Sequence, residues 1–130
     1  MPDPWVSGNE DNWRTVFSPS RIFNPRAFQS GGAGMAGTAQ DMMRLLEMLR
    51  KDGAGLLPAT LAKAALSNQI ANLEGEPGYR FTFVGGLVTD PVAAGTALPN
   101  GVIQWGGVYG NTWFIDPAEK LTVVSLTNNA

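Results

Sequence analysis

Met42, Leu45, Leu46 and Leu49 stand at i, i+3, i+4 and i+7, with charged and polar residues between them. That period lays one apolar stripe down an α-helix. Thr38 is placed to cap the helix, and Asp41, three residues on, completes a capping box and suits the positive helix end. Arg50 and Lys51 suit the negative end, and Gly53 is a C′ stop. The pattern predicts a helix over Thr38–Lys51 that buries all four stripe residues.

A second helix is expected to open with Pro58 in its first turn and to run through Thr60–Leu66, fraying near Asn68. Its alanines favour helix, and Leu61, Ala64 and Ala65 are the expected buried face. After Gly78 the period shortens to that of strands. Tyr79–Val84 and Leu87–Thr89 are aromatic and β-branched, with Gly85-Gly86 between them marking a bulge or a close backbone approach. Val102–Trp105, Thr112–Ile115 and Leu121–Leu126 follow, the last two joined by a hairpin loop at Asp116–Lys120 with Pro117 at a favoured turn position. Two helices followed by an antiparallel meander make an α+β fold. Residues 1–30 show no sustained period and are broken by four prolines. They carry Trp5, Trp13, Phe17, Phe23 and Phe28, so we expect an irregular segment that packs through its rings, ahead of an α+β portion over residues 31–130.

Composition narrows the chemistry. The chain has 130 residues, a net charge of -2, and neither His nor Cys. Without His, no Ser-His-Asp or Cys-His site forms within it, and the usual zinc, haem and thiolate sites are excluded too. No cofactor is implied. No basic stripe exists to neutralise phosphates, so nucleic acid is not an expected partner. No apolar run approaches the ~20 residues of a membrane span, and the first residues lack the pattern of a signal peptide. A soluble protein away from membranes is the expectation, with compartment unassigned.

Among candidate motifs, Gly31-Gly32-Ala33-Gly34 precedes a helix but lacks both the Lys-Ser/Thr of a P-loop and the G-x-G-x-x-G spacing, and it reads as a turn. Arg44 and Glu47 read as a solvated pair. Asp90 and Asp116 read as turn formers at strand ends. The unusual stretch is Trp105-Gly106-Gly107-Val108-Tyr109-Gly110-Asn111-Thr112-Trp113. A strand ending in Gly-Gly lets another molecule approach its backbone, whose N–H groups can hold an oxyanion. A bulged hairpin with Trp105 and Trp113 in the core accounts for the same residues.

Taken in order, several motifs carry a resemblance. They are Gly31-Gly32-Ala33-Gly34-Met35, Thr38-Ala39-x-Asp41, Leu56-Leu57-Pro58, Asn68-Gln69-Ile70, the Tyr79–Leu87 strand, Trp105-Gly106-Gly107 and Trp113-Phe114-Ile115-Asp116-Pro117. Over residues 28–130 the chain resembles the C-terminal part of the serine β-lactamase/penicillin-binding-protein superfamily, closest to the family VIII carboxylesterases. In that family a Ser-x-x-Lys serine forms the acyl-enzyme, and the Lys and a Tyr move protons. A third motif reads Lys-Thr-Gly in class C β-lactamases and often Trp-Gly-Gly in the esterases. The resemblance implies that Val108 lends its backbone N–H to the oxyanion hole and that Trp105, Gly106, Gly107 and Tyr109 bind substrate. Lacking the Lys at position 105, the chain has no cation there to attract a β-lactam carboxylate.

None of its six serines, Ser7, Ser18, Ser20, Ser30, Ser67 and Ser125, has Lys three residues later. Ser18-Pro19-Ser20-Arg21 offers only Arg, a poor base. Tyr109-Gly110-Asn111 matches the family's Tyr-x-Asn only superficially, since that motif lies upstream of the matched region. The expectation is a hydrolase portion whose nucleophile, Lys and Tyr lie outside this chain, and which is inactive alone. Its substrate would be an ester or β-lactam-like small molecule, bound with the missing N-terminal half. The alternative is a non-catalytic β-lactamase-like binding or structural module. In either case Leu121–Leu126 risks presenting an open strand edge, which favours a homodimer or a complex with the missing half.

Overall fold

A computed structural model describes residues 22–26, 30–32, 35–73, 75–107 and 110–127. The chain divides into two compact units, Met1–Gly37 and Thr38–Ala130. Within the first, the backbone makes a tight turn at Ile22–Phe23, and the Arg26 N–H donates to Asn24 Oδ1 at 3.0 Å. Phe23 is exposed. Trp5, Trp13, Phe17 and Phe28, on which the expected packing of this segment rests, lie outside the described residues, as do Ala33 and Gly34.

The second unit opens with α1 (Ala39–Arg50). Thr38 caps it: Asp41 N–H donates to Thr38 Oγ1 at 3.1 Å, and Thr38 N–H donates to Asp41 Oδ2 at 3.4 Å. This reciprocal box contributes about 1 kcal/mol. Leu46 and Leu49 are buried and Met42 packs beside them, but Leu45 is half exposed, contrary to the expected stripe. The helix is rotated so that Glu47, rather than Leu45, faces the sheet, where it meets Thr122. The C-terminus also differs by one position. Asp52 takes the left-handed C′ conformation (φ 54), and Gly53 N–H closes the turn onto Met48 C=O at 2.8 Å.

Helix α2 (Ala59–Leu66) follows, with Pro58 as its N-cap rather than its first helical residue. Ala62 is fully buried, and Ala65 and Leu66 pack against the core. These three stand at i, i+3 and i+4, so the buried face is centred one residue later than expected. Leu61 is therefore mostly exposed.

Five strands complete the unit: β1 (Tyr79–Phe81), β2 (Gly86–Val88), β3 (Ile103–Gly106), β4 (Thr112–Asp116) and β5 (Leu121–Ser125). They form one sheet in chain order, every neighbour antiparallel, so the α+β meander holds. The first strand ends earlier than its apolar run. Thr82 Oγ1 accepts from the N–H groups of Val84 and Gly85 and donates to Gly85 C=O, which closes a turn. The close approach expected at the glycine pair is present, since a Cβ on Gly85 would sit 2.6 Å from Gln104 O.

The main core joins Leu46 and Leu49 of α1 to Ile115 of β4, bordered by Met48, Val84, Trp113 and Val124. Asp90 and Asp116 are turn formers as expected. Each carboxylate accepts two backbone N–H groups, Val92 and Ala93 for Asp90, and Ala118 and Glu119 for Asp116.

The expected Arg44–Glu47 pair is replaced by three others. Arg44 reaches Asp41 at 3.1 Å on the exposed side. Glu47 is held at the sheet face by Arg50 through two bonds of 2.6 and 2.7 Å, by the Thr122 hydroxyl, and by Lys51 at 3.0 Å. The Arg50 guanidinium first, then Thr122 and Lys51, hold the Glu47 carboxyl well below its ordinary value of 4.5. A carboxyl lowered on folding adds stability that is complete above its unfolded pKa and is lost as pH falls toward the folded value. We therefore expect Glu47→Gln to lower the urea midpoint at about pH 7 and to flatten the loss of stability between about pH 4.5 and pH 3. Parallel acid limbs for the two proteins would disprove the assignment.

Candidate active-site wall

The Trp105-Gly106-Gly107 run sits where β3 outlasts its neighbour. Strand β2 pairs only with Ile103 and Gln104, so the ladder on that side stops before Trp105. On the other side β4 continues, pairing Trp105 with Trp113 and Gly106 with Thr112. Among the described residues, the β2-facing edge of Trp105-Gly106 thus has no paired strand. The turn Thr82–Gly85 produces this early stop: the chain reverses there, closed by the bond from Thr82 N–H to Gly85 C=O at 2.9 Å.

A groove of about 310 Å³ opens at this edge. Glu76, Tyr79, Phe81, Gly86, Gln104 and Trp105 line it, with Gly106 and Thr112 at its β4 end. Gly86 contributes by being small, leaving the Phe81–Gly86–Gln104 cross-strand row open between two larger side chains. Trp105 is half exposed, and its ring meets Phe81 edge-on, centroids 5.9 Å apart and planes at 69°. Tyr79 is fixed by Gln104, whose Nε2 donates to Tyr79 Oη at 2.7 Å.

Gly107 leads into a tight connection. Its N–H donates to Asn111 C=O at 2.8 Å, and Gly110 N–H donates back to Gly107 C=O at 3.0 Å. The Asn111 side chain anchors the far end by accepting from Thr127 N–H at 2.9 Å. Of the five residues singled out from the sequence, Trp105 and Gly106 line the groove together and Gly107 forms the turn beside it. Val108 and Tyr109 lie outside the described residues. The core-hairpin alternative holds only for Trp113, which packs on the core.

Sequence reasoning missed Glu76, Tyr79, Phe81 and Gln104 as groove residues. The alternation Tyr79-x-Phe81 was a usable signal, since alternate residues share one face of a strand. Glu76 and Gln104 carry no such signal. Among the described residues no three His, Cys, Asp or Glu side chains cluster to hold a metal ion.

Comparison with known proteins gives this geometry a setting. The β-lactamase family model matches residues 1–130. The chain is 50% identical over 117 residues to esterase EstB of Burkholderia gladioli, a match covering 88% of this chain and 29% of that protein. In structure it is similar to EstCE1, a hydrolase with promiscuous acyltransferase activity. There the TM-score is 0.74 and the identity 41%, over 87% of this chain and 30% of the other. The chain therefore spans somewhat under a third of the length of these relatives. By these matches the chain belongs to the β-lactamase family, on its esterase-like side.

Proposed function

We propose that this chain supplies the third-motif strand and the oxyanion-hole wall of a serine hydrolase of the carboxylesterase type. The observation that carries the reading is the unpaired edge of Trp105-Gly106 opening onto an aromatic groove. An ester laid along that edge presents its carbonyl oxygen to the Val108 N–H, with Trp105, Gly106, Gly107 and Tyr109 along the acyl side. Gly107 N–H is bonded to Asn111 C=O, and the resemblance to the esterases assigns the oxyanion donor to the next residue, Val108. The attacking hydroxyl comes from a Ser outside this chain, and a Lys and a Tyr beside it take its proton and return it to the leaving alcohol. Water then releases the acyl group. Preorganised N–H donors act here by stabilising charge that appears only in the transition state.

The partner implied is the segment bearing Ser-x-x-Lys, and the β5 edge is a place for it or for a second copy of this chain to add a strand. Absence of Ser-x-x-Lys from the chain itself favours a second reading, a non-catalytic binding module. A short-chain aryl ester separates the two. The chain alone should give no turnover above background, and mixing it with a family segment that carries Ser-x-x-Lys should restore turnover. No restoration supports the binding module. Turnover by the chain alone that vanishes on Ser→Ala substitution at any of its six serines overturns the assignment of the nucleophile.

A further inference from the structure

The groove at the β3 edge has a charge character that ester chemistry does not require. Three aromatic side chains, Tyr79, Phe81 and Trp105, meet there, and the only Asp, Glu, Lys or Arg that lines it among the described residues is Glu76. Aromatic faces carry negative quadrupole potential and attract cations, most strongly from Trp. Phe81 and Trp105, steeply inclined to each other at 69°, form a corner rather than a stack. Such a corner sets the faces of two rings at an angle around one space, and it is the faces that attract a cation. Tyr79 is held by its bond from Gln104, so this wall does not need to be ordered when a ligand enters. A carboxylate at the mouth adds attraction for positive charge and repels anions.

We propose that this groove binds a small organic cation, a quaternary or alkylated ammonium group. Only in treating that group as the alcohol or acyl portion of an ester does the inference rest on the proposed role of β3. The volume of about 310 Å³ is at the small end for ligand sites and admits a trimethylammonium group with its linker. The charge complementarity selects against carboxylate-bearing substrates, beyond the effect of lacking a Lys at position 105.

The test is a titration of the full chain with choline and with dimethylbutanol, which replaces the ammonium nitrogen by carbon. Binding is followed by NMR at the Trp105 indole N–H, identified with Trp105→Phe. Choline should saturate with an affinity about tenfold higher than that of dimethylbutanol. Glu76→Gln should weaken choline about threefold and leave dimethylbutanol unchanged, whereas Trp105→Ala should weaken both. Equal affinities for the two ligands, no saturation by choline, or a Glu76→Gln variant that binds choline like the parent chain each overturn the proposal. Nothing is hydrolysed in this titration, so its outcome is independent of the ester assay. Choline binding without restored ester turnover leaves the cation site standing and removes the hydrolase role. Restored turnover without choline binding removes the cation site alone.

Discussion

Gly78→Ala should destabilise the chain by about 3 kcal/mol in urea unfolding, with far-UV circular dichroism as the probe. Gly78 has φ +75, and a Cβ built there would lie 2.3 Å from Asp90 O and 2.4 Å from Ala94 N. Both are backbone atoms, so no side chain can swing aside. The Gly78 carbonyl also accepts from Thr89 N–H at 2.8 Å and Asp90 N–H at 3.1 Å. Moving Gly78 to relieve the clash therefore strains the junction between β2 and the following loop. Gly95→Ala is the control. Its φ of +60 is similar, but nothing lies within 4 Å of the added Cβ, so only the backbone penalty of about 1–2 kcal/mol remains. Equal midpoint shifts for the two variants would show that the close approach at Gly78 contributes nothing.

The largest effect on catalysis is expected from Val108→Pro in the complemented enzyme. Proline removes the backbone N–H while keeping an apolar side chain. If Val108 is the oxyanion donor as proposed, its loss should reduce kcat about 10²–10³-fold with little change in KM. Val108→Ala retains the N–H and should stay within about threefold of the parent enzyme. A Val108→Pro enzyme with undiminished kcat would show that the oxyanion is held elsewhere.

How far the sequence reveals this molecule depends on where the determining contacts lie. The α1 cap was legible because Thr38 and Asp41 are three residues apart and satisfy each other. The five strands and their order were legible because each turn carries Gly, Pro or Asp at positions that demand them. The exposure of Leu45 was not. It is decided by the pull of Thr122 on Glu47, across 75 positions of chain. The early end of β1 turns on one hydroxyl, that of Thr82, within a run whose β-propensity is continuous. For the site, Trp105 and Gly106 stood out through a local motif. Their groove partners Gln104, brought in by strand pairing, and Glu76, in the turn before β1, look unremarkable along the chain.

The agreement of strand order with chain order sets the folding kinetics. Each strand of the meander pairs with the one just before it, so closing each loop costs little entropy and the sheet can grow by successive short-range steps. Helix α1 is the exception. Among the described elements it comes first along the chain, yet it packs on β5, the last of them. During synthesis its apolar stripe has no sheet partner until β4, with Ile115, and then β5 (Leu121–Ser125) have been made. Slow folding should therefore concentrate in the docking of α1, and changes at Leu46 or Leu49 should alter unfolding rates more than the rate at which the sheet assembles.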